Sequence, residues 1–258
     1  MAVDEACEGP PVVLVHGGLG SRDLWAPQGG ALRDAYHVVA YDLRGHGDTR
    51  SEARPASYGP ALLTRDLVAL LDALELPTVS VVGLSIGGFV AQELALCHPE
   101  RVRALVLADT WTRIGLGDVE GTVGLVLRPL VEMGLTVLGT GLLGRLTGTH
   151  FEPERARERE LMVRAVEGTD RLDAVRVWRG LAEHDTLDRL PHLRVPTLVI
   201  AGERDGTVDQ ARLMHRLIPG SELAVLPGAG HVSNLHRPEL FNAALRPFLD
   251  RVHGGVAP

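Results

Sequence analysis

Cysteine is scarce: the 258 residues hold only Cys7 and Cys97. Two cysteines so far apart make no disulfide framework and no metal-ligand pattern. Cys97 falls at helical spacing and reads as a small core residue. Positive charge is also short. The 26 basic residues face 33 acidic ones, a formal net charge of −7. That balance argues against nucleic acid or an anionic membrane surface as a main partner. Long apolar runs are missing too. None reaches transmembrane length without a charge or a glycine break. Residues 1–10 are acidic and lack an apolar stretch, so no secretory leader is expected. The expected compartment is a reducing cytoplasm. What is present is an ordinary globular composition, 45% apolar and 23% charged. A chain of this length can bury one full core and still carry an insertion.

The most informative stretch is Val79-Ser80-Val81-Val82-Gly83-Leu84-Ser85-Ile86-Gly87-Gly88. A β-branched run leads into G-x-S-x-G, and residues 89–96 continue as a helix. Strand, serine turn and helix together make a nucleophile elbow, a sharp turn that lifts the serine oxygen above a sheet. Gly83 and Gly87 stand two before and two after the serine, where neighbouring backbone passes close. The helix would aim its N-terminal N–H groups at the site and favour developing negative charge there. A turn serine without chemistry is the plain alternative, and the flanking strand and helix argue against it.

Other short apolar runs read as buried parallel strands: Pro11–Val15, His37–Tyr41, 103–109, 195–201 and Glu222–Leu226. Helical spacing appears between them, at 23–34 in broken form, 61–74, 211–217 and Pro238–Val252. This alternation predicts a parallel sheet with right-handed crossovers. Functional groups then gather at the carboxyl ends of the strands. From 112 to about 183 the rhythm changes and no strand signal is convincing. Residues 114–149 are rich in Gly, Leu and Val, 153–166 form a charged helix, and 171–182 are a third helical stretch with Trp178. The charged helix reads as a solvated face. The expected division is 1–111 as the first part of the core, 112–185 as a helical cap, and 186–258 as the second part.

Five motifs follow in order: His16-Gly17-Gly18, Asp42-Leu43-Arg44-Gly45-His46-Gly47, the elbow, Gly202-Glu203-Arg204-Asp205 and Gly230-His231. On these the chain resembles the α/β-hydrolase family. At the elbow and at 107–115 it looks most like enol-lactonases of aromatic degradation and related esterases. The resemblance implies a mostly parallel sheet flanked by helices, with the cap inserted after the family's sixth strand. It implies Ser85 as nucleophile, His231 as general base and then acid, and Asp205 as the orienting carboxylate. The backbone N–H groups of Gly18 and Ile86 would form the oxyanion hole, with Leu19 as the neighbouring alternative. By the family's layout Trp25, Trp111 and Trp178 approach one cavity, with Leu19 beside them and Arg113 as a candidate carboxylate anchor. Asp109 also ends a strand and stays open as the acid of a rearranged triad. Glu203 is expected to face away, and His236 to lie at the surface. His16 would brace the oxyanion turn, and Asp42, Arg44 and His46 would form a structural polar turn. The family usually opens with an antiparallel strand pair. Only ten residues precede Pro11 here, so residues 2–6 are expected to give one short strand, and either the sheet is trimmed of its outermost strand or the start of the chain has been lost.

The implied activity is that of a cofactor-free serine hydrolase. It would cleave an ester or lactone through an acyl-enzyme, on a small to medium apolar or aromatic substrate. An aspartate at position 85 would instead have meant a dehalogenase or a typical epoxide hydrolase. A C–C bond hydrolase, a perhydrolase and a non-catalytic ligand-binding member stay open, because fold does not fix function. No metal or cofactor is expected. The expected partner is a small-molecule substrate, without nucleic acid or membrane; a homodimer stays open.

Overall fold

The computed structural model of the chain describes residues 1–6, 8–50, 55–113 and 151–254. Cys7 and the expected Gly-, Leu- and Val-rich part of the cap lie outside the described residues. Seven strands form one sheet: β1 (Val3–Ala6), β2 (Pro11–Val15), β3 (His37–Tyr41), β4 (Val79–Leu84), β5 (Val102–Ala108), β6 (Thr197–Gly202) and β7 (Glu222–Leu226). Their spatial order is β1-β3-β2-β4-β5-β6-β7. Only β1 runs antiparallel, pairing Val3 with Tyr41 through Ala6 with Val38. It is the single short strand expected ahead of β2.

The inner strands, β2 to β6, are largely apolar on both faces because both faces are covered. Val13, Val15, Val79, Val81, Leu105, Leu107 and Val199 enter one buried cluster. The alternate residues Val12, Leu14, Val82, Leu84, Val106, Leu198 and Ile200 enter another. This period of two is the pleat written in sequence. On the first face lie α2 (Pro60–Ala73), α3 (Ile86–Cys97) and α6 (Val208–Leu217). On the second lie α1 (Ala26–Leu32) and α8 (Pro238–Val252). Helix α2 shows how sequence makes such a cover. Leu63, Leu67, Leu70 and Leu71 are buried at helical spacing, and Pro60 takes the first helical position, which has no N–H bond to lose. Each fully buried leucine contributes roughly 1.5–3 kcal/mol.

The chain reverses direction across the sheet between β2 and β4, which are neighbours although β3 separates them in sequence. In open α/β sheets ligands bind at such a switch point, beyond the carboxyl ends of the strands. The turns after β2 and β4 are the His16-Gly17-Gly18 motif and the elbow.

Between β5 and β6 the described residues hold two longer helices, α4 (Ala156–Gly168) and α5 (Arg171–Gly180). The charged face of α4 is solvated: Arg164 and Glu160 pair there with 72% and 60% of their side chains exposed. Its other face presents Leu161, Met162 and Ala165 to Leu24 and Leu235. Asp170 caps α5, accepting from the N–H of Leu172 and of Asp173. Cys97 differs from expectation. It is exposed at the last turn of α3, beyond the face packed on the sheet, beside Glu93 and Arg189. Among the described residues no helix is long and apolar enough to cross a membrane.

Candidate active site

Ser85 sits between β4 and α3 with φ 54° and ψ −116°. A serine at positive φ is strained by about 1–3 kcal/mol and persists only where its surroundings over-determine it. They do so here. The Ser85 N–H donates to Ala108 O at 2.9 Å, and the Thr110 hydroxyl donates to Ser85 O at 2.7 Å. The elbow glycines are a matter of space. A Cβ on Gly83 would lie 2.2 Å from Gly87 O, and one on Gly87 would lie 2.1 Å from Val15 O. Both approaches are to backbone, which cannot swing aside.

The turn after β2 presses on this elbow. A Cβ on Gly17 would lie 3.1 Å from Ser85 Cβ, and one on Gly18 would lie 2.5 Å from Ile86 Cδ1. Leu19 has φ 59°, and its N–H donates to His46 Nε2 at 3.2 Å. That bond removes Leu19 as an alternative oxyanion donor. The Gly18 N–H makes no hydrogen bond among the described residues. Ile86 is the first residue of α3, so its N–H has no partner within the helix. Among the described residues neither N–H has a partner, so two unspent donors flank Ser85 there.

Two buried imidazoles hold the turn. His16 Nδ1 donates to Gly17 O at 2.7 Å, and Nε2 accepts from the Leu43 N–H at 3.0 Å. Burial pushes its pKa down to about 3, helped by the neighbouring His46, so it stays neutral. His46 donates from Nδ1 to Arg44 O at 3.0 Å, which leaves Nε2 free to accept from Leu19. Asp42 accepts from the N–H of Arg22 at 2.7 Å and of Asp48 at 2.9 Å, and pairs with the Arg22 guanidinium. Arg44 pairs with Asp66. His16, Asp42, Arg44 and His46 thus brace the turns around the site rather than face it.

His231 follows β7. Its Nε2 lies 3.0 Å from Ser85 Oγ, and its Nδ1 lies 3.0 Å from Asp205 Oδ2. Donation of the Nδ1 proton to the carboxylate leaves Nε2 as the acceptor for the serine hydroxyl. Asp205 Oδ2 also accepts from the Thr207 hydroxyl. Burial opposes the charged form of His231, but the hydrogen bond and charge of Asp205 outweigh it, and the pKa is raised above the ordinary imidazole value. Burial likewise opposes the charged form of Asp205. The bond and charge from His231, with Thr207, outweigh that and hold its pKa below the usual carboxylate range. These opposite shifts are what an ion-pairing couple produces. His236, expected at the surface, is half-buried. Its Nδ1 accepts from the Gly230 N–H at 2.9 Å and so fixes the turn before His231. Glu203 does face away, accepting from the Gly228 N–H at 2.9 Å.

The five expected substrate-binding residues separate. Trp111 stands at the site, its ring 5.3 Å from that of His231. Trp178 packs with Leu19, Ala174 and Val175, next to the turn that carries Gly18. Arg113 bridges Asp185 through its backbone. Trp25 must be corrected. It is 1% exposed and packs against Phe241 on the α1–α8 face of the sheet, so it belongs to the core and lines no substrate space. The turn Arg22–Trp25 is a 3₁₀ segment, and its geometry points Trp25 inward. A cavity of about 480 Å³ opens on His231 and Asp205, walled by Phe151, Met162, Val232 and Arg204.

Sequence reasoning missed the residues that aim Trp111. Gln92 Nε2 donates to Trp111 O at 2.9 Å, and His184 Nε2 donates to the same oxygen at 3.2 Å. His184 stacks on Phe89 with ring centroids 3.8 Å apart. Burial pushes its pKa down to about 4. The one available signal was Gln92, a long polar side chain that falls at helical spacing on the apolar face of α3 with Phe89 and Ala95.

A seven-stranded, mostly parallel sheet with serine, imidazole and carboxylate at its strand ends defines a class of hydrolytic proteins. The sequence model of a family described as alpha/beta hydrolase fold matches residues 10–238. The chain belongs to the α/β-hydrolase family and is a hydrolase of that fold. It is 30% identical over 244 residues to 3-oxoadipate enol-lactonase 2 of Acinetobacter baylyi, covering 93% of this chain and 89% of that protein. The enol-lactonase from Burkholderia xenovorans LB400 superposes with a TM-score of 0.83 at 30% identity, covering 96% of this chain and 95% of that one. A thermophilic esterase from Thermogutta terrifontis does so with a TM-score of 0.86 at 30% identity, covering 98% and 93%.

Proposed function

We propose that this hydrolase is a serine hydrolase that cleaves a carboxylic ester or lactone through an acyl-enzyme on Ser85. One observation carries the reading: the Ser85–His231–Asp205 chain, with 3.0 Å at each link, on a strained elbow between two unspent N–H donors. Ser85 Oγ attacks the carbonyl carbon as its proton passes to His231 Nε2. The carbonyl oxygen gains the negative charge, opposite the N–H groups of Gly18 and Ile86. His231 then gives the proton to the leaving oxygen, and Asp205 stabilises the imidazolium meanwhile. Water attacks the acyl group with the same imidazole as base, and Ser85 is released. The enol-lactonase and esterase relatives support this class of substrate. The test is turnover of p-nitrophenyl and naphthyl esters and of simple lactones, with product identification. A purified, folded protein that turns over none of them would sink the reading.

Rate should depend on pH in one direction. Only neutral His231 can take the serine proton, so activity rises as pH rises through its pKa. That pKa is raised, so the midpoint should lie above the ordinary imidazole value of 6.5. A chemistry-limited rate that is flat from about pH 5 to 8 contradicts an imidazole base.

The preferred substrate is a neutral, largely apolar or aromatic ester or lactone of small to medium size. Trp111 beside His231 and Trp178 beside the Gly18 turn support it. We assign residues 112–185, including α4 and α5, to a cap over the site, and the protein to small-molecule work in the cytoplasm. Trp178→Ala should raise KM for bulky aromatic esters far more than for acetate esters, by roughly 1–3 kcal/mol of lost burial. Equal effects on both would count against an aromatic pocket. A strict need for a substrate carboxylate, lost in Arg113→Ala, would favour an acidic lactone instead.

A further inference from the structure

Asp109 directly follows β5, with φ 46°, and is fully buried. Its own N–H donates to Ile200 O at 3.0 Å. Its carboxylate reaches two other segments. Oδ1 accepts from the Gly202 N–H at 2.9 Å, and Oδ2 accepts from the Ser233 N–H at 2.9 Å. Gly202 ends β6 and leads directly into the turn that carries Asp205. Ser233 opens α7 (Ser233–His236), just after His231. The two turns also touch, since a Cβ on Gly202 would lie 2.4 Å from Gly230 O.

We propose that Asp109 is a positioning residue for the His231–Asp205 pair, its carboxylate fastening the turn that carries the acid to the turn that carries the base. It does not serve as the acid itself, because both of its oxygens are engaged by backbone N–H groups and Asp205 faces His231 Nδ1. The inference rests on the serine-hydrolase reading above. The two hydrogen bonds fix one end of each turn, so the pair is held by the sheet rather than by its own bond alone. Buried networks of this kind rigidify what they join. Charge adds to geometry. The charged groups felt by Asp109 are His231 and Asp205, and burial with Asp205 nearby pushes its pKa up to about 7 although His231 works the other way. Asp109 in turn favours the charged form of His231. Formation of the imidazolium during catalysis therefore strengthens an interaction already in place.

Asp109→Asn tests this, because Asn tolerates positive φ and keeps one acceptor. Ser233→Pro tests it independently. It removes one N–H at a first helical position, where proline is tolerated, and leaves Asp109 intact. Fold is followed by circular dichroism, and the fraction of competent sites by stoichiometric fluorophosphonate labelling of Ser85. Per labelled site, Asp109→Asn should lower kcat roughly 10- to 100-fold with little change in KM, as small misplacements do. Its pH–rate midpoint should fall. Ser233→Pro should act in the same direction more weakly. In the wild-type protein, amide exchange at Gly202 and Ser233 should slow further once Ser85 is phosphonylated and His231 is charged. Wild-type kcat and midpoint in a folded variant would overturn the proposal. So would a loss that merely follows the labelled fraction, or amide exchange indifferent to phosphonylation. Failure of the wild-type protein to label or to turn over esters would sink the underlying reading instead.

Discussion

Ser85→Ala is expected to lower kcat on the order of a millionfold, the scale seen when a triad serine is removed from other hydrolases. The arrangement explains the size. Ser85 Oγ is the atom that His231 Nε2 faces at 3.0 Å. Without it, on the proposed mechanism, the imidazole has no alcohol to activate, and the intermediate opposite the N–H groups of Gly18 and Ile86 does not form. The fold should survive. Alanine keeps the Cβ, loses one hydroxyl and leaves almost no cavity. The bonds that hold the elbow use the Ser85 backbone, not its side chain. Steady-state kinetics and fluorophosphonate labelling give the readout. Labelling that persists in Ser85→Ala would remove the elbow from the mechanism.

Asp205→Asn is expected to keep the protein folded and to lower kcat about 10⁴-fold, by analogy with the serine-protease triad. An amide whose NH₂ faces His231 Nδ1 forces the proton onto Nε2, which then cannot accept from serine. The loss of charge should also bring the pH–rate midpoint down, because Asp205 is what raises the His231 pKa against burial. The comparison with Asp109 is direct. If Asp109→Asn costs 10⁴ and Asp205→Asn does not, the acid has been misassigned.

The parts of this molecule legible in sequence are those set by neighbours in the chain. Gly83, Ser85 and Gly87 lie within one turn, and the space that Gly83 must leave is taken by Gly87 itself. The unbroken apolar run Val12, Val13, Leu14 and Val15 is local as well, and it announces a strand covered on both sides. What was not legible depends on contacts across the fold. Trp25 resembled a pocket residue by position, but Phe241, far along the chain, decides where it goes. Cys97 kept the spacing of α3 after the helix had passed the edge of its packed face. His236 looked like a helix-start residue, and only the folded turn shows the Gly230 N–H that it receives. Gln92 reaches Trp111 from α3, ahead of β5, and His184 reaches it from about seventy residues further on, and no periodicity marks such a meeting.

The inserted segment leaves and rejoins the sheet at one point. Arg113 and Asp185 form an isolated bridge, and the Thr186 N–H donates to Thr112 O at 2.8 Å. The Thr186 hydroxyl donates to Gln92 Oε1 at 2.6 Å, tying this neck to the nucleophile helix. For a flexible loop, the entropy of closing whatever lies beyond a neck grows only with the logarithm of its length, about 0.6 kcal/mol per doubling. On the proposed assignment of 112–185 to a cap, a sheet built this way is indifferent to what the neck holds. Bond cleavage and the choice of molecule then become separable parts, and the second can be exchanged without moving the first.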